Sequence, residues 1–475
     1  MAAEKFDAVV VGSGQGGNPL ALAFARSGRK TAVIERAEVG GTCVNTGCTP
    51  TKTMVSNAEI AHDVRRAADF GIHVGSISVD MAAIRARKRE VVERFRSGSQ
   101  SQIDDTDNVE LIRGTARFTG RKVLNVSLKD GGTREIEADT IVLDTGTRSR
   151  VPPIPGLDLV PYLDNASVME LDTLPSHLLV VGGGYVGLEF AQMFCRFGSQ
   201  VTIVQRSDQL LTREDPDIAE DVANILREDG ITVLLNADLK RVDAAQGGGV
   251  RAVIEAPDGN RTLDVSHLLL AVGRVPNTDA LNLEAAGVET DEHGYIKVND
   301  RLETSASGIY AIGDVKGGPA FTHISYDDFR VLRTTLIEGG QASIKDRMVP
   351  YVVFIDPQLA RIGMSETEAR KAGHRVQIAK MSMSRVARAI ETGNTRGAIK
   401  AVVDADNQQV LGFTILGVDG GELMSLVQVA MMGRLPYTAL RDGIFAHPTL
   451  AEAVNNLFLN VEDAERVAPS TRRVV

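Results

Sequence analysis

The chain of 475 residues has only three cysteines. Three thiols in a chain this long exclude a disulfide scaffold and leave thiol chemistry to a particular pair. In a reducing cytosol, a disulfide that does form is usually catalytic or redox-sensing. Long apolar runs are missing as well, and no stretch approaches the roughly 20 residues that span a bilayer. The opening MAAEKFDAVVVGSG lacks a basic segment followed by a cleavable apolar one. No signal peptide or membrane partner is therefore expected, and the chain is assigned to the cytoplasm. Basic residues are in deficit, 52 against 62 acidic, for a formal net charge of −10. A nucleic-acid footprint needs a basic patch or stripe, so nucleic acid is not an expected partner. What is present is an ordinary globular composition and enough length for several domains at roughly 100–200 residues each.

The chain contains a repeat. VVVGSGQGGNPLALAFARSGRKTAVIER (9–36) can be laid over LVVGGGYVGLEFAQMFCRFGSQVTIVQR (179–206). Each opens with a β-branched run that reads as a buried strand. Each continues into GxGxxG, at Gly12, Gly14 and Gly17 and again at Gly182, Gly184 and Gly187. A helical stretch follows, ending near Gly28 or Gly198, and a second β-branched strand closes the unit. Strand, glycine turn, helix and strand together form a dinucleotide-binding fingerprint, far more specific than the glycines alone. The glycines allow backbone to approach a pyrophosphate, and the helix N-terminus offers it unpaired N–H groups. Pro19 falls inside the first helix and is tolerable only in its first turn.

Two fingerprints imply two dinucleotides. Glu35 lies 23 residues after Gly12, and Gln205 lies 23 residues after Gly182. A carboxylate at this place accepts from a ribose 2′-OH and repels a 2′-phosphate. Site one therefore suits FAD or NAD. Site two has lost that charge and carries Arg206, with Arg213 further on, which suits a 2′-phosphate. The expected cofactors are FAD at the first site and NADPH at the second, with NADH possible. Arg36 also follows Glu35, and the blander reading of Arg206 and Arg213 is solvated surface charge.

Between the first fingerprint and the next helix lies GGTCVNTGCTPTKT (40–53), with Cys43 and Cys48 separated by four residues. A metal site would need further ligands, and no nearby His or Cys completes a zinc set. Two inert core cysteines fit poorly with the surrounding Gly, Thr and Asn. A helix N-terminus here would raise the thiolate fraction of a cysteine. Cys195, between Phe194 and Phe197 on a helical stretch, reads as a small core hydrophobe.

GGTCVNTGCTPTK closely resembles the redox motif of the pyridine nucleotide-disulfide oxidoreductases, the flavoprotein disulfide reductases. These include dihydrolipoamide dehydrogenase, glutathione reductase and mercuric reductase. The resemblance covers nearly the whole chain. It implies an α/β fold with two Rossmann-like domains and a C-terminal α+β dimerisation domain. The FAD domain would take 1–150 and 276–345, the NAD(P)H domain 151–275 and the interface domain 346–475. Cys43 and Cys48 would form a redox-active disulfide, Cys43 as the interchange thiol and Cys48 facing the flavin. Lys52 matches the lysine near the flavin, Glu189 its ion-pair partner, and Tyr185 the residue that gates the nicotinamide pocket. Thr42 would join the cofactor-binding residues. Asp144-Thr145-Gly146 resembles the crossing from the FAD domain to the NAD(P)H domain, and Ala271-Val272-Gly273-Arg274 the return. IYAIGD (309–314) resembles the second FAD motif, with Asp314 on the ribityl chain.

The C-terminal third reads as α+β, with strands at YVVF and AIKAVV and a helix at GELMSLVQVAMMG. It contains FAHPTLAEAV (445–454). By the resemblance His447 and Glu452 form an acid–base dyad, with His447 of one subunit of a homodimer serving Cys43 of the other. Thiol–disulfide exchange moves protons, and an imidazole oriented by a carboxylate can shuttle them. Thr449-Leu450-Ala451-Glu452 is also a T-x-x-E capping box, a structural role that can coexist with the dyad. The chain has no cysteine after Cys195, which disfavours mercuric reductase and the large thioredoxin reductases, both of which use a C-terminal pair. Pro50-Thr51-Lys52, PAFTHISYDDFRVL (319–332) and VVFIDPQLARIGMSETEAR (352–370) look most like mercuric-reductase-like enzymes, including the copper(II) reductases of the reactive-chlorine response. The acceptor is left open among lipoamide, glutathione disulfide, Hg(II), Cu(II) and quinones. A flavin diaphorase or oxidase with dispensable cysteines, and a non-catalytic redox sensor, are the competing classes.

Overall fold

The computed structural model describes residues 3–463. The last twelve residues of the expected interface segment, 464–475, lie outside them. The first repeat unit folds as strand Glu4–Val11, helix Gly17–Arg26 and strand Thr31–Glu35. Val9 and Val11 face one core while Ala8 and Val10 face the other, so the run reads as continuous apolar sequence because both faces of the sheet are covered. Strand Glu4–Val11 pairs in parallel with Thr31–Glu35 on one side and Thr133–Leu143 on the other. Strand Ile309–Ala311 extends the sheet in parallel beyond Thr133–Leu143. Strands Val109–Gly120, Val123–Leu128 and Thr133–Leu143 form an antiparallel meander that closes over one face. Pro19 is the third residue of its helix, where its missing N–H breaks no helical bond.

The second unit repeats the first with strand His177–Val181, helix Tyr185–Phe197 and strand Gln200–Val204. Four parallel strands lie in the order His267–Leu270, His177–Val181, Gln200–Val204 and Thr232–Leu234. Gly198 ends the helix in the left-handed region at φ 116°, a conformation that costs a glycine least. Three antiparallel strands, spanning 238 to 265, form a separate sheet. Strands Thr147–Ser149 and Arg274–Pro276 pair antiparallel, so outgoing and returning chain run side by side.

The C-terminal part is a six-stranded antiparallel sheet, with helix Gly420–Met432 packed on it. Strands Tyr351–Val353 and Ala398–Asp404 and this helix fall where the sequence places them. Val429, Met432, Leu435, Ile444 and Leu459 are exposed on this part. Among the described residues no helix is long and apolar enough to cross a membrane.

Candidate active site

The two glycine loops are built alike down to single hydrogen bonds. In the first, Glu35 at the end of its strand accepts from Ser13 N at 2.9 Å, Ser13 Oγ at 2.7 Å and Ala37 N at 2.8 Å. In the second, Gln205 Oε1 accepts from Gly183 N at 3.0 Å. The amide keeps the loop-closing bond that the carboxylate makes and removes its charge. A Cβ on Gly14 would lie 2.6 Å from Asp144 Oδ2, and one on Gly17 2.7 Å from the same atom. Gly12 and Gly182 sit at φ 103° and 112°, pressed against the backbone carbonyls of Asp144 and Ala271. These glycines are therefore required by close approach as well as by turn geometry.

Around the first loop, buried Thr145 Oγ1 and Asn18 Oδ1 have no partner among the described residues. Buried polar atoms are almost always paired, so both are places where a bound group can complete the bonding. Glu35 retains free lone pairs for ribose hydroxyls beyond the donors it already holds. Thr147 Oγ1 donates to Asp314 Oδ2 at 2.9 Å, and Gly313 N donates to Asp328 Oδ2 at 2.8 Å, which fixes the Gly-Asp turn. Gly146 O accepts from Asn277 N at 3.0 Å, and Asn277 Nδ2 donates to Thr145 O at 2.8 Å. The residues present fit FAD.

Around the second loop lies a cleft of about 730 Å³. Gly182, Gly184, Tyr185, Gln205, Arg206 and Gly273 all line it. Gly187 instead packs against Gly182 O beneath the loop. Ser207 and Lys240, which no motif marks, also line the cleft, whereas Arg213 does not and uses its carbonyl to hold Arg361 Nη1 at 2.8 Å. Lys240 reaches the cleft from strand Asp238–Ala244, far along the chain from the fingerprint. These residues fit a phosphorylated nicotinamide dinucleotide.

The redox segment is docked on the first glycine loop. Gly40 N donates to Ser13 O at 3.1 Å, and a Cβ on Gly41 would lie 2.8 Å from Gly14 Cα. Asn45 Nδ2 donates to Val39 O and Gly41 O, each at 3.0 Å. Cys43 lies in the short helix Gly41–Asn45, and Cys48 is the first residue of helix Cys48–Arg66. Thr42 is exposed, and its carbonyl accepts from Thr46 N at 2.9 Å. No bond joins the two sulfurs, and Cys43 is hydrogen-bonded to Cys48. Cys43 is half-buried and Cys48 exposed.

The two sulfurs differ sharply in acidity. Cys48 is lowered to about 6, first by the hydrogen bond from Cys43, then by Thr322 and the charge of Lys52, against burial and Glu189. Cys43 is pushed far up, because it donates to Cys48, is buried and lies beside the negative sulfur. The pair thus holds one proton between two sulfurs at neutral pH, on Cys43. Thr322 Oγ1 lies 3.2 Å from Cys48 Sγ. It opens helix Thr322–Leu336, so two helix N-termini meet at this sulfur.

Lys52 Nζ donates to Glu189 Oε2 at 2.7 Å, and Phe354 N donates to Glu189 Oε1 at 2.9 Å. Glu189 is buried and Lys52 one-third exposed. Tyr185, half-exposed at the mouth of the second cleft, has its ring 5.9 Å from that of Phe321. Phe321 in turn stacks on His323 and Tyr351. His447 Nδ1 lies 2.8 Å from Glu452 Oε2, and Thr449 Oγ1 accepts from Glu452 N at 3.3 Å. The expected capping box does not form: the helix begins at Ala453 with Glu452 at its N-cap, so the Thr449 bond lies in the preceding turn, and the Glu452 carboxylate turns to His447. Cys195 is half-buried, packs against the hydrophobic core as its neighbours in sequence suggest, and donates to Asp229 O at 3.2 Å.

The family described as pyridine nucleotide-disulphide oxidoreductase matches residues 6–328, and its dimerisation domain matches residues 349–458. The chain belongs to this family: it is an FAD-dependent NAD(P)H oxidoreductase that carries the segment by which such chains pair. Among individual proteins it is 40% identical over 458 residues to the probable pyridine nucleotide-disulfide oxidoreductase RclA of Escherichia coli, covering 96% of this chain and 99% of that one. It is 35% identical to mercuric reductase of Streptomyces lividans, covering 94% of each, and 34% identical to dihydrolipoyl dehydrogenase of Chlorobaculum tepidum, covering 95% and 96%. A solved Cu(II) complex of the HOCl-induced flavoprotein disulfide reductase RclA from Escherichia coli superimposes with a TM-score of 0.87 at 39% identity, over 96% of this chain and 99% of that one.

Proposed function

We propose that this protein uses NADPH to reduce a thiophilic metal ion, Cu(II) foremost, at the Cys43–Cys48 pair. The observation that carries this reading is the unequal dithiol, with Cys48 the more acidic sulfur and Cys43 its hydrogen-bond donor, in a chain 39% identical to RclA, which has been solved as a Cu(II) complex. Two soft sulfur ligands suit copper.

Bound FAD supplies the two-electron relay between nicotinamide and thiols. Glu35 and the glycines at 12, 14 and 17 hold its adenosine and pyrophosphate, while Asp314 and Thr145 serve the remainder. Gln205 and Arg206 receive the 2′-phosphate of NADPH, and Tyr185 gates the nicotinamide. Lys52, anchored by Glu189, places positive charge by Cys48. In each turnover two Cu(II) ions would take one electron each, the single proton held by the pair would leave from Cys43, and a Cys43–Cys48 disulfide would form, to be reduced again by the hydride equivalent of NADPH. His447 of the second copy, oriented by Glu452, takes the proton that Cys43 holds.

The test is an anaerobic acceptor panel of Cu(II), Hg(II), lipoamide, glutathione disulfide and quinones, each with NADPH and NADH. Cu(II) reduction lost in Cys43→Ser with quinone reduction retained supports the reading. Preferred turnover of lipoamide with NADH would replace it by a dihydrolipoyl dehydrogenase. Full Cu(II) reduction without Cys43 would make it a diaphorase.

A further inference from the structure

Asp144 lies at the crossing of the chain, beneath the first glycine loop, and is buried. Its Oδ2 accepts from Gly17 N at 2.8 Å, the sole hydrogen bond to this carboxylate among the described residues. The same oxygen fills the space that a Cβ on Gly14 or Gly17 would need, and Oδ1 lies 2.8 Å from where a Cβ on Gly313 would be. One side chain therefore wedges the pyrophosphate loop against the Gly-Asp turn of the second FAD motif. It also occupies the N-terminus of helix Gly17–Arg26, where the dipole favours a bound phosphate.

The charges that act on it most strongly are carboxylates. Glu35 faces it from the end of strand Thr31–Glu35, Asp314 from the Gly-Asp turn and Asp328 from helix Thr322–Leu336, and each disfavours its ionisation. Lys316 and Arg347 lie in the same region, but both are committed to Asp328, at 3.3 and 2.6 Å. Burial is the largest contribution and pushes Asp144 well above the usual carboxylate range even before a diphosphate is added. An ionised carboxylate under a diphosphate, with one N–H for compensation, is strongly unfavourable; a carboxylic acid is not.

We propose that Asp144 is a positioning residue that must be a neutral carboxylic acid for FAD to stay bound, so that, above the pH at which Asp144 ionises in the flavin-free protein, flavin binding takes up one proton and flavin retention falls in alkali. The proton comes from solvent and resides on the Asp144 carboxyl. The proposal rests on FAD lying over the first glycine loop. A Gly14→Val variant that keeps its flavin would sink that placement, whereas the experiment below addresses Asp144 alone.

The experiment dilutes holoenzyme at pH values from about 6 to about 10 and follows released FAD by its fluorescence, with circular dichroism confirming that the fold persists. The expected dissociation constant rises about tenfold per pH unit above the point where free Asp144 ionises, the slope of one linked proton. Asp144→Asn, which keeps an acceptor for Gly17 N and carries no charge, should abolish the slope. Asp144→Ala should abolish it too, from a weaker starting affinity. Release by wild type that is flat across this range, or an equal slope in Asp144→Asn or Asp144→Ala, overturns the proposal.

Discussion

Replacing Thr322 by Val should raise the first thiol ionisation of the redox pair by about one pH unit. The hydroxyl sits 3.2 Å from Cys48 Sγ and helps to hold that sulfur at about 6. A hydrogen bond to a charged group is worth about 1.5–3 kcal/mol net, and the lower end applies because Cys43 donates to the same sulfur and is the larger cause of its acidity. At about 1.4 kcal/mol per unit, about 1.5 kcal/mol is one unit. The thiolate fraction at pH 7 should then fall from about nine-tenths to about one half. Valine keeps the branching and leaves the helix N-terminus in place, so only the hydroxyl is removed. The assay is an anaerobic pH titration of holoenzyme reduced by two electrons, following the long-wavelength absorption of a thiolate beside flavin. Thr322→Ser should return the midpoint to that of wild type. A Val variant with an unmoved midpoint, or a Ser variant as displaced as Val, refutes the assignment of Thr322.

His447→Ala should slow acceptor reduction by about 10²–10⁴-fold, the usual contribution of an acid–base group, while stopped-flow reduction of the flavin by NADPH stays unchanged; equal loss in both steps would remove His447 from proton transfer. Arg206→Glu should lower the NADPH-to-NADH ratio of kcat/KM, by about tenfold for every 1.4 kcal/mol of phosphate binding lost, and an unchanged ratio would leave Arg206 as surface charge. Lys52→Met strands the buried Glu189 carboxylate with only Phe354 N as donor. A loss of about 2 kcal/mol is expected, discounted because Lys52 is partly solvated, and should show as a lower Tm of the holoenzyme.

The repeat was legible because each of its signals has a local cause: β-branched strands, glycines forced by backbone contact, and a helix stop at Gly198. The substitution of Glu35 by Gln205 was legible too, as a change of charge at one offset, although the bond each makes to its own loop was not. Thr322 escaped notice because nothing in FTHIS marks a hydroxyl that touches a thiol 274 positions earlier. Lys240 and Ser207 enter the second cleft from other segments, and no spacing rule connects them to the fingerprint. Asp144 was visible only as part of a chain crossing. Its pressure on Gly14, Gly17 and Gly313 is a property of three segments packed together. Cys195 packs against the core, as its aromatic neighbours indicate, while the bond from its sulfur to the Asp229 carbonyl at the end of the next helix has no local signal.

The preparation of the two sulfurs is one-sided. Cys48 is made the more acidic sulfur by the hydrogen bond from Cys43, then by Thr322 and the charge of Lys52, all from one chain and with no acceptor present. Cys43 has the reverse treatment: it is half-buried and keeps its proton by donating it to Cys48. A pair so arranged receives electrons readily but releases them only when a base reaches Cys43. The paired imidazole and carboxylate at His447 and Glu452 stand on the C-terminal part of the chain, with the histidine two-thirds exposed. Ile444, three residues before it, is fully exposed and apolar. An exposed base beside an uncovered apolar residue, on the segment that matches a dimerisation domain, is a group set to be buried against a second copy. On the function proposed above, the half of the site that takes electrons in would lie within one chain, and His447 of a second copy would complete the half that hands them out.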